Sequence, residues 1–196
     1  MTIDFLDERR KALEEAFFRK ENARLLENLR EKRHDEEKRT SLSRASGIED
    51  RALLDALVHE GLQAESLAAI TLVPLVFTAW GDGKLEPPER FAILSAADAS
   101  GIARGSASFE LLESWLRDRP HHTLFRAWVQ YVHVLCERLR DDDRKALRDN
   151  VLHRAREVAK AAGGVLGLGP KIAPGQQAVL DKLADAFSGG GASAGA

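Results

Sequence analysis

The reading of the fold turns on Lys84-Leu85-Glu86-Pro87-Pro88-Glu89-Arg90-Phe91-Ala92-Ile93, which continues to Ala97-Asp98-Ala99. A second stretch answers it: Lys171-Ile172-Ala173-Pro174-Gly175-Gln176-Gln177-Ala178-Val179-Leu180, continuing to Ala184-Asp185-Ala186. Both run Lys, aliphatic, any residue, Pro, any residue, Glu or Gln, and then an apolar helix that ends in Ala-Asp-Ala. Proline fits the first turn of a helix, where its missing N–H is an orphan in any case. An acid or amide three residues into the helix suits the positive end of the dipole. The echo predicts a helical domain of two similar halves. The alternative is convergence on a common way of starting a helix.

Composition supports helix throughout. Among 196 residues, Ala occurs 29 times and Leu 27 times, against 10 Val, 6 Ile and 5 Thr. That balance favours helix over a large sheet. The net charge is −2, which removes the electrostatic case for a nucleic-acid binder. The single cysteine, Cys136, cannot form an internal disulfide, so nothing points to an oxidising compartment. Residues 1–8 carry no basic segment followed by an apolar one, so no signal peptide is expected. The longest apolar-rich stretch, Leu67 to Trp80, is shorter than the roughly 20 residues of a membrane span and reads as a core helix. The expected location is the cytoplasm, with no transmembrane segment.

Upstream of the domain, residues 3 to about 42 contain no Gly or Pro and read as one long helix. Leu6, Leu13 and Phe17 recur at intervals of seven and four, as do Phe18, Leu25 and Leu29. Each set forms a stripe that needs a packing partner. From Arg30 to Arg39 the helix is almost entirely charged with mixed sign, which suits water. Residues 1–45 are therefore an amphipathic arm, either projecting or folded back, followed by a helical domain over 46–187 and a small-residue tail over 188–196. Leu6, Leu13, Phe17, Phe18, Leu25 and Leu29 are the candidate partner-binding residues, for another protein or a second copy.

Punctuation divides the rest. Ser46 with Glu49 matches a capping box opening a helix that Gly61 closes. An apolar helix from about Ala64 to Trp80 should be kinked by Pro74. Further helices are expected over 87–100, 106–117, 122–138, 141–162 and 174–187, for about eight in all. Gly163 to Gly169 reads as a glycine-rich connection: it lacks the Gly-Lys-Ser/Thr of a phosphate loop and follows a helix.

The sharpest local signal is Gly81-Asp82-Gly83-Lys84-Leu85-Glu86-Pro87-Pro88-Glu89. Set against an EF-hand loop, Asp82, Gly83, Glu86 and Glu89 fall at the fifth, sixth, ninth and twelfth places. Thr78 and Trp80 hold the first and third, and tryptophan is no ligand for a hard cation. What remains is half a loop. Asp82, Glu86 and Glu89 are candidate ligands for a divalent cation such as calcium or manganese, with further ligands from Glu60, Glu65 or Asp98. The alternative is an Asp-Gly turn feeding a helix with Glu in its first turn. The equivalents of Asp82 and Glu89 in the echo are Gly169 and Gln176, which argues against two symmetric sites.

Ala79-Trp80-Gly81-Asp82-Gly83-Lys84-Leu85, with Glu89 and a helix ending before Gly101-Ile102, resembles the tellurite-resistance TerB-like family. The resemblance covers about residues 50–187, with the motif Ala-x-Ala-Asp-Gly-x-aliphatic-x-x-x-Glu; Gly81 stands where that motif has Ala. It implies an all-helical bundle of two similar halves with an acidic, metal-binding surface at the Asp-Gly turns. Many members act as interaction modules in membrane-linked or stress-response systems. A shorter similarity joins Asp7-Glu8-Arg9-Arg10-Lys11-Ala12-Leu13-Glu14-Glu15-Ala16-Phe17 to the N-terminus of zeta-type inhibitors of bacterial ATP synthases. It implies a helix that inserts into a rotary ATPase.

Little else suggests catalysis, and no catalytic residue is assigned. His133 and Cys136 share a helix face, but no second ligand cluster accompanies them. His121-His122 sit at a loop-helix junction. Cys136 with His153 lacks any local feature that would activate a thiol. Trp115, Trp128, Phe125 and Tyr131 recur near helical spacing and read as core. The expected function is a non-catalytic adaptor. A cation-binding stress protein and an inhibitory helix for a rotary ATPase are the alternatives.

Overall fold

The computed structural model describes the backbone of residues 2–162 and 172–188, with side chains over 17–161 and 172–188. Among the described residues there are eight α-helices and no strand. The expected all-helical architecture is what forms. The chain divides into two compact units, Met1–Thr40 and Ser41–Ala196.

Within the first unit the described structure is a single helix, part of α1 (Thr2–Ser46). No other described element belongs to that unit, and ion pairs run along the helix. Arg24 pairs with Glu21, Arg30 with Glu27 and Arg39 with Glu36, all three residues apart. Pairs at this spacing contribute only about 0.2–0.5 kcal/mol each. The side chains of Leu6 and Leu13 lie outside the described residues, as do those of most of the Asp7–Phe17 segment.

In the second unit the expected helices appear as α2 (Arg51–His59), α4 (Pro87–Ala99), α5 (Ala107–Arg117), α6 (His122–Glu137), α7 (Asp141–Ala162) and α8 (Pro174–Ala186). Two local expectations need correction. Ser46 does not cap α2; it is the last residue of α1, where its hydroxyl donates to the Leu42 carbonyl at 2.7 Å. Gly47 takes φ +69° and turns the chain directly afterwards, so the capping position opens only beyond that reversal. Asp50 occupies it and accepts from Leu53 N–H at 3.0 Å. Gly61, at φ +85°, closes the same helix as expected.

The second correction concerns Ala64 to Trp80. In place of one kinked helix there is a 3₁₀ stretch (Ala64–Leu72), then α3 (Val73–Ala79), then a 3₁₀ turn (Trp80–Asp82). Pro74 lies in the first turn of α3 and breaks no helix. Val73, Pro74, Leu75, Val76, Thr78 and Ala79 are all buried, so the segment has no polar face whose period could mark its boundaries. Ala64–Asp82 is long and apolar enough, by length and composition, to cross a membrane. Here α3 lies in the core, while Glu65, Ala68, Thr71 and Asp82 of the same segment are exposed.

α3 packs against α6, α7 and α8, while α5 lies on the 3₁₀ stretch, α4 on α7 and α2 on α6. Leu72, Val76, Leu112, Leu124, Ala155 and Leu183 are wholly buried. Trp128 lies between Phe125 and Phe187, with centroids 5.8 and 6.2 Å away. Trp115, Trp128 and Cys136 are buried, as core residues should be. The Gly163–Gly169 connection and the tail from residue 189 lie outside the described residues.

Candidate functional site

The Asp-Gly turn is built by its own residues. Gly83 adopts φ +96°, a conformation open to glycine, and its N–H donates to the Trp80 carbonyl at 3.0 Å. Asp82 accepts from Lys84 N–H at 3.3 Å, the side-chain turn expected of an aspartate here. Lys84 pairs with Glu86 across the surface. Arg90 ties the start of α4 to α5 by donating to the Leu116 carbonyl at 3.2 Å. The Trp80 indole N–H donates to the Trp115 carbonyl at 3.0 Å. Trp80, no use to a cation, is instead the strut that anchors the turn.

The three carboxylates expected to share a cation are thus differently employed. Asp82 is exposed and engaged with its own backbone, and Glu86 faces Lys84. Glu89 is wholly buried. Among the described residues no group of three or more His, Cys, Asp or Glu is arranged to hold a metal ion.

Glu89 instead meets its counterpart in the echo. One of its oxygens accepts from Glu86 N–H at 2.9 Å. At the same place in α8, the Gln176 carbonyl oxygen accepts from Ala173 N–H at 3.1 Å. The Gln176 amide then donates to the other Glu89 oxygen at 2.5 Å. The two helix starts therefore face each other, each tying its own first turn with its third residue while the two side chains join. Burial pushes the Glu89 carboxyl above its usual range, with Asp82 and Glu86 adding to the rise and the bonds from Glu86 N–H and Gln176 opposing it.

The contact is close enough to require glycine on both sides. A methyl on Gly81 would lie 2.8 Å from the Gln176 Cα, and one on Gly175 would collide with the Gly81 carbonyl oxygen. That is a physical reason for Gly81 where the resembled motif carries Ala. The sequence makes Gln176 the equivalent of Glu89, and the structure adds that the two touch. The signal was the shared spacing from proline, without anything to orient one copy on the other.

In α1, Phe17, Phe18, Leu25, Leu26 and Leu29 are 53–62% exposed. The Phe17 and Phe18 rings meet edge to face, 6.0 Å apart. Phe18, Leu25 and Leu29 fall within roughly 40° of one another at about 100° per residue. Leu26, not singled out from the stripe spacing, is exposed as well but lies about 80° round the helix from Phe18. Compared with known proteins, the chain matches no family model, no curated protein and no solved structure.

Proposed function

We propose that the chain is a non-catalytic interaction protein, in which a TerB-like helical domain carries α1 as a docking element for a protein partner or a second copy. The observation that carries this reading is the run of five large apolar side chains between Phe17 and Leu29, each more than half exposed. Among the described residues of the domain only Phe91 of the large apolar side chains is comparably exposed, at 73%. Covering the remaining surface of each α1 residue is worth about 1–2 kcal/mol. A partner contributing an equal apolar area brings the total to the scale of the ~4–15 kcal/mol that association costs. The side of the helix that carries Phe18, Leu25 and Leu29 suits helix-in-groove recognition.

The test uses full-length protein with a photo-crosslinking residue at position 22, between the exposed pairs. A discrete crosslinked species is expected, identified by mass spectrometry as the same chain or as one other protein. The triple variant Phe18→Ser, Leu25→Ser, Leu29→Ser should lose it while keeping the thermal unfolding of the domain. Crosslinking that persists unchanged in the triple variant would remove α1 as the docking element.

A further inference from the structure

From α5 the chain passes through Arg119-Pro120-His121 to His122, the first residue of α6. Together with Phe77 of α3 these residues line a cleft of about 360 Å³. That volume lies within the range of small-molecule sites and exceeds the needs of a lone ion. Phe77 and Pro120 supply its apolar wall, and the Phe77 ring is held by Phe125 at a centroid distance of 5.2 Å.

The rest of the lining is cationic or able to become so. The His121 and His122 rings lie 4.1 Å apart, with His121 Nδ1 3.0 Å from the Thr123 hydroxyl. Arg119 lines the cleft, and Arg126 follows His122 by one turn of α6. Among the described residues neither guanidinium has a hydrogen-bond or ion-pair partner. His122 is held below its ordinary pKa by desolvation, then by His121 and Arg126, while Glu60 at the end of α2 acts in the opposite direction. Around His122, then, His121 and Arg126 act against the single carboxylate of Glu60, in a chain whose net charge is −2. Two imidazoles are too few for a structural zinc site, and no third metal-ligating group joins them among the described residues.

We propose that this cleft binds a small organic phosphate, with its phosphoryl group held by Arg119 and the His121–His122 pair and its apolar body against Phe77 and Pro120. A guanidinium presents paired donors that match phosphate oxygens. The imidazoles supply further N–H donors, and Arg126 adds field without needing to touch the ligand. A bound dianion offsets the repulsion among these groups, so binding must favour protonated His122. This reading is independent of α1 and of the docking role.

The experiment is a histidine-ring NMR titration of the full chain at pH 7 with three probes: phenyl phosphate, inorganic phosphate and phenol. Phenyl phosphate should shift the His121 and His122 ring signals saturably and raise the His122 titration midpoint by about half a pH unit or more. It should bind about tenfold more tightly than either inorganic phosphate or phenol, because each contributes only half of the contact. Arg119→Gln, at an exposed position, should weaken it about tenfold while leaving the thermal unfolding unchanged. Three results would each overturn the assignment: no saturable shift at millimolar phenyl phosphate, equal affinity in Arg119→Gln, or phenol binding as tightly as phenyl phosphate. Inorganic phosphate matching phenyl phosphate would overturn the role given to Phe77 and Pro120.

Discussion

At the scale of single residues, Glu89 and Gln176 are buried and joined side chain to side chain, each also closing its own helix start. Replacing Glu89 by Leu leaves the Glu86 N–H and the Gln176 amide without acceptors in a buried place, each worth about 1–3 kcal/mol. Glu89→Leu should therefore destabilise by about 2–4 kcal/mol in urea unfolding. The double variant with Gln176→Leu should be less destabilised than the two single effects added together, because each single change already breaks the shared bond. The pH dependence has a definite sign. The folded-state pKa of Glu89 is raised, so its contribution is fully present below the unfolded carboxyl range and is lost as pH rises through the folded value. The stability gap between wild type and Glu89→Leu should narrow from pH 4 towards pH 8; a gap that widens would reverse the assignment. The position of Glu89 in the first helical turn was legible in the sequence, as was the equivalence of Gln176. Their contact was not, because 87 residues separate them and spacing along a chain carries no information about which faces meet.

Elements show the same division between what is local and what is not. The starts of α4, α5 and α8 were legible because proline or serine acts on its own turn, and Ser106 indeed accepts from Phe109 N–H at 3.2 Å. Ser46 was misread because two rules competed for one segment. A serine followed three places on by glutamate signals a helix start, but Gly47 between them ends the previous helix first. Asp50→Ala should thus cost about 1 kcal/mol in thermal or urea unfolding, as the loss of a cap. Ser46→Ala loses only a hydroxyl back-bonded within α1 and a 3.2 Å contact from Ile48 N–H, so it should cost less. Equal losses would return the capping role to Ser46. The 3₁₀ stretch over Ala64–Leu72 exposes every third residue, Glu65, Ala68 and Thr71, but with Ala68 apolar and Ser66 buried the polarity of the sequence does not follow that period.

For the whole molecule, composition alone fixed the helical class, and the glycines and prolines placed most of the helices. The exposed residues between Phe17 and Leu29 were visible as stripes but carried no indication of what covers them. The helix of the first unit relies on side chains one turn apart, whereas α3 is enclosed by three other helices. Hydrogen exchange should reflect that contrast. Amides of residues 17–40 should open at a cost of no more than about 1–2 kcal/mol, and those of α3 at the full unfolding free energy. Uniform protection across both would show that α1 is stabilised by more than its own turns. The junction of α4 and α8 also has a consequence in time. At roughly 5–20 residues per second, synthesis takes on the order of 4–17 s to travel the 87 residues from Glu89 to Gln176. Throughout that interval the nascent chain holds a solvated carboxylate where the finished domain has a sealed one, and α3 lacks the helix that will cover part of it. The newborn domain is thus a different object from the mature one, with a hydrated acid and an uncovered apolar helix face at one spot until α8 arrives.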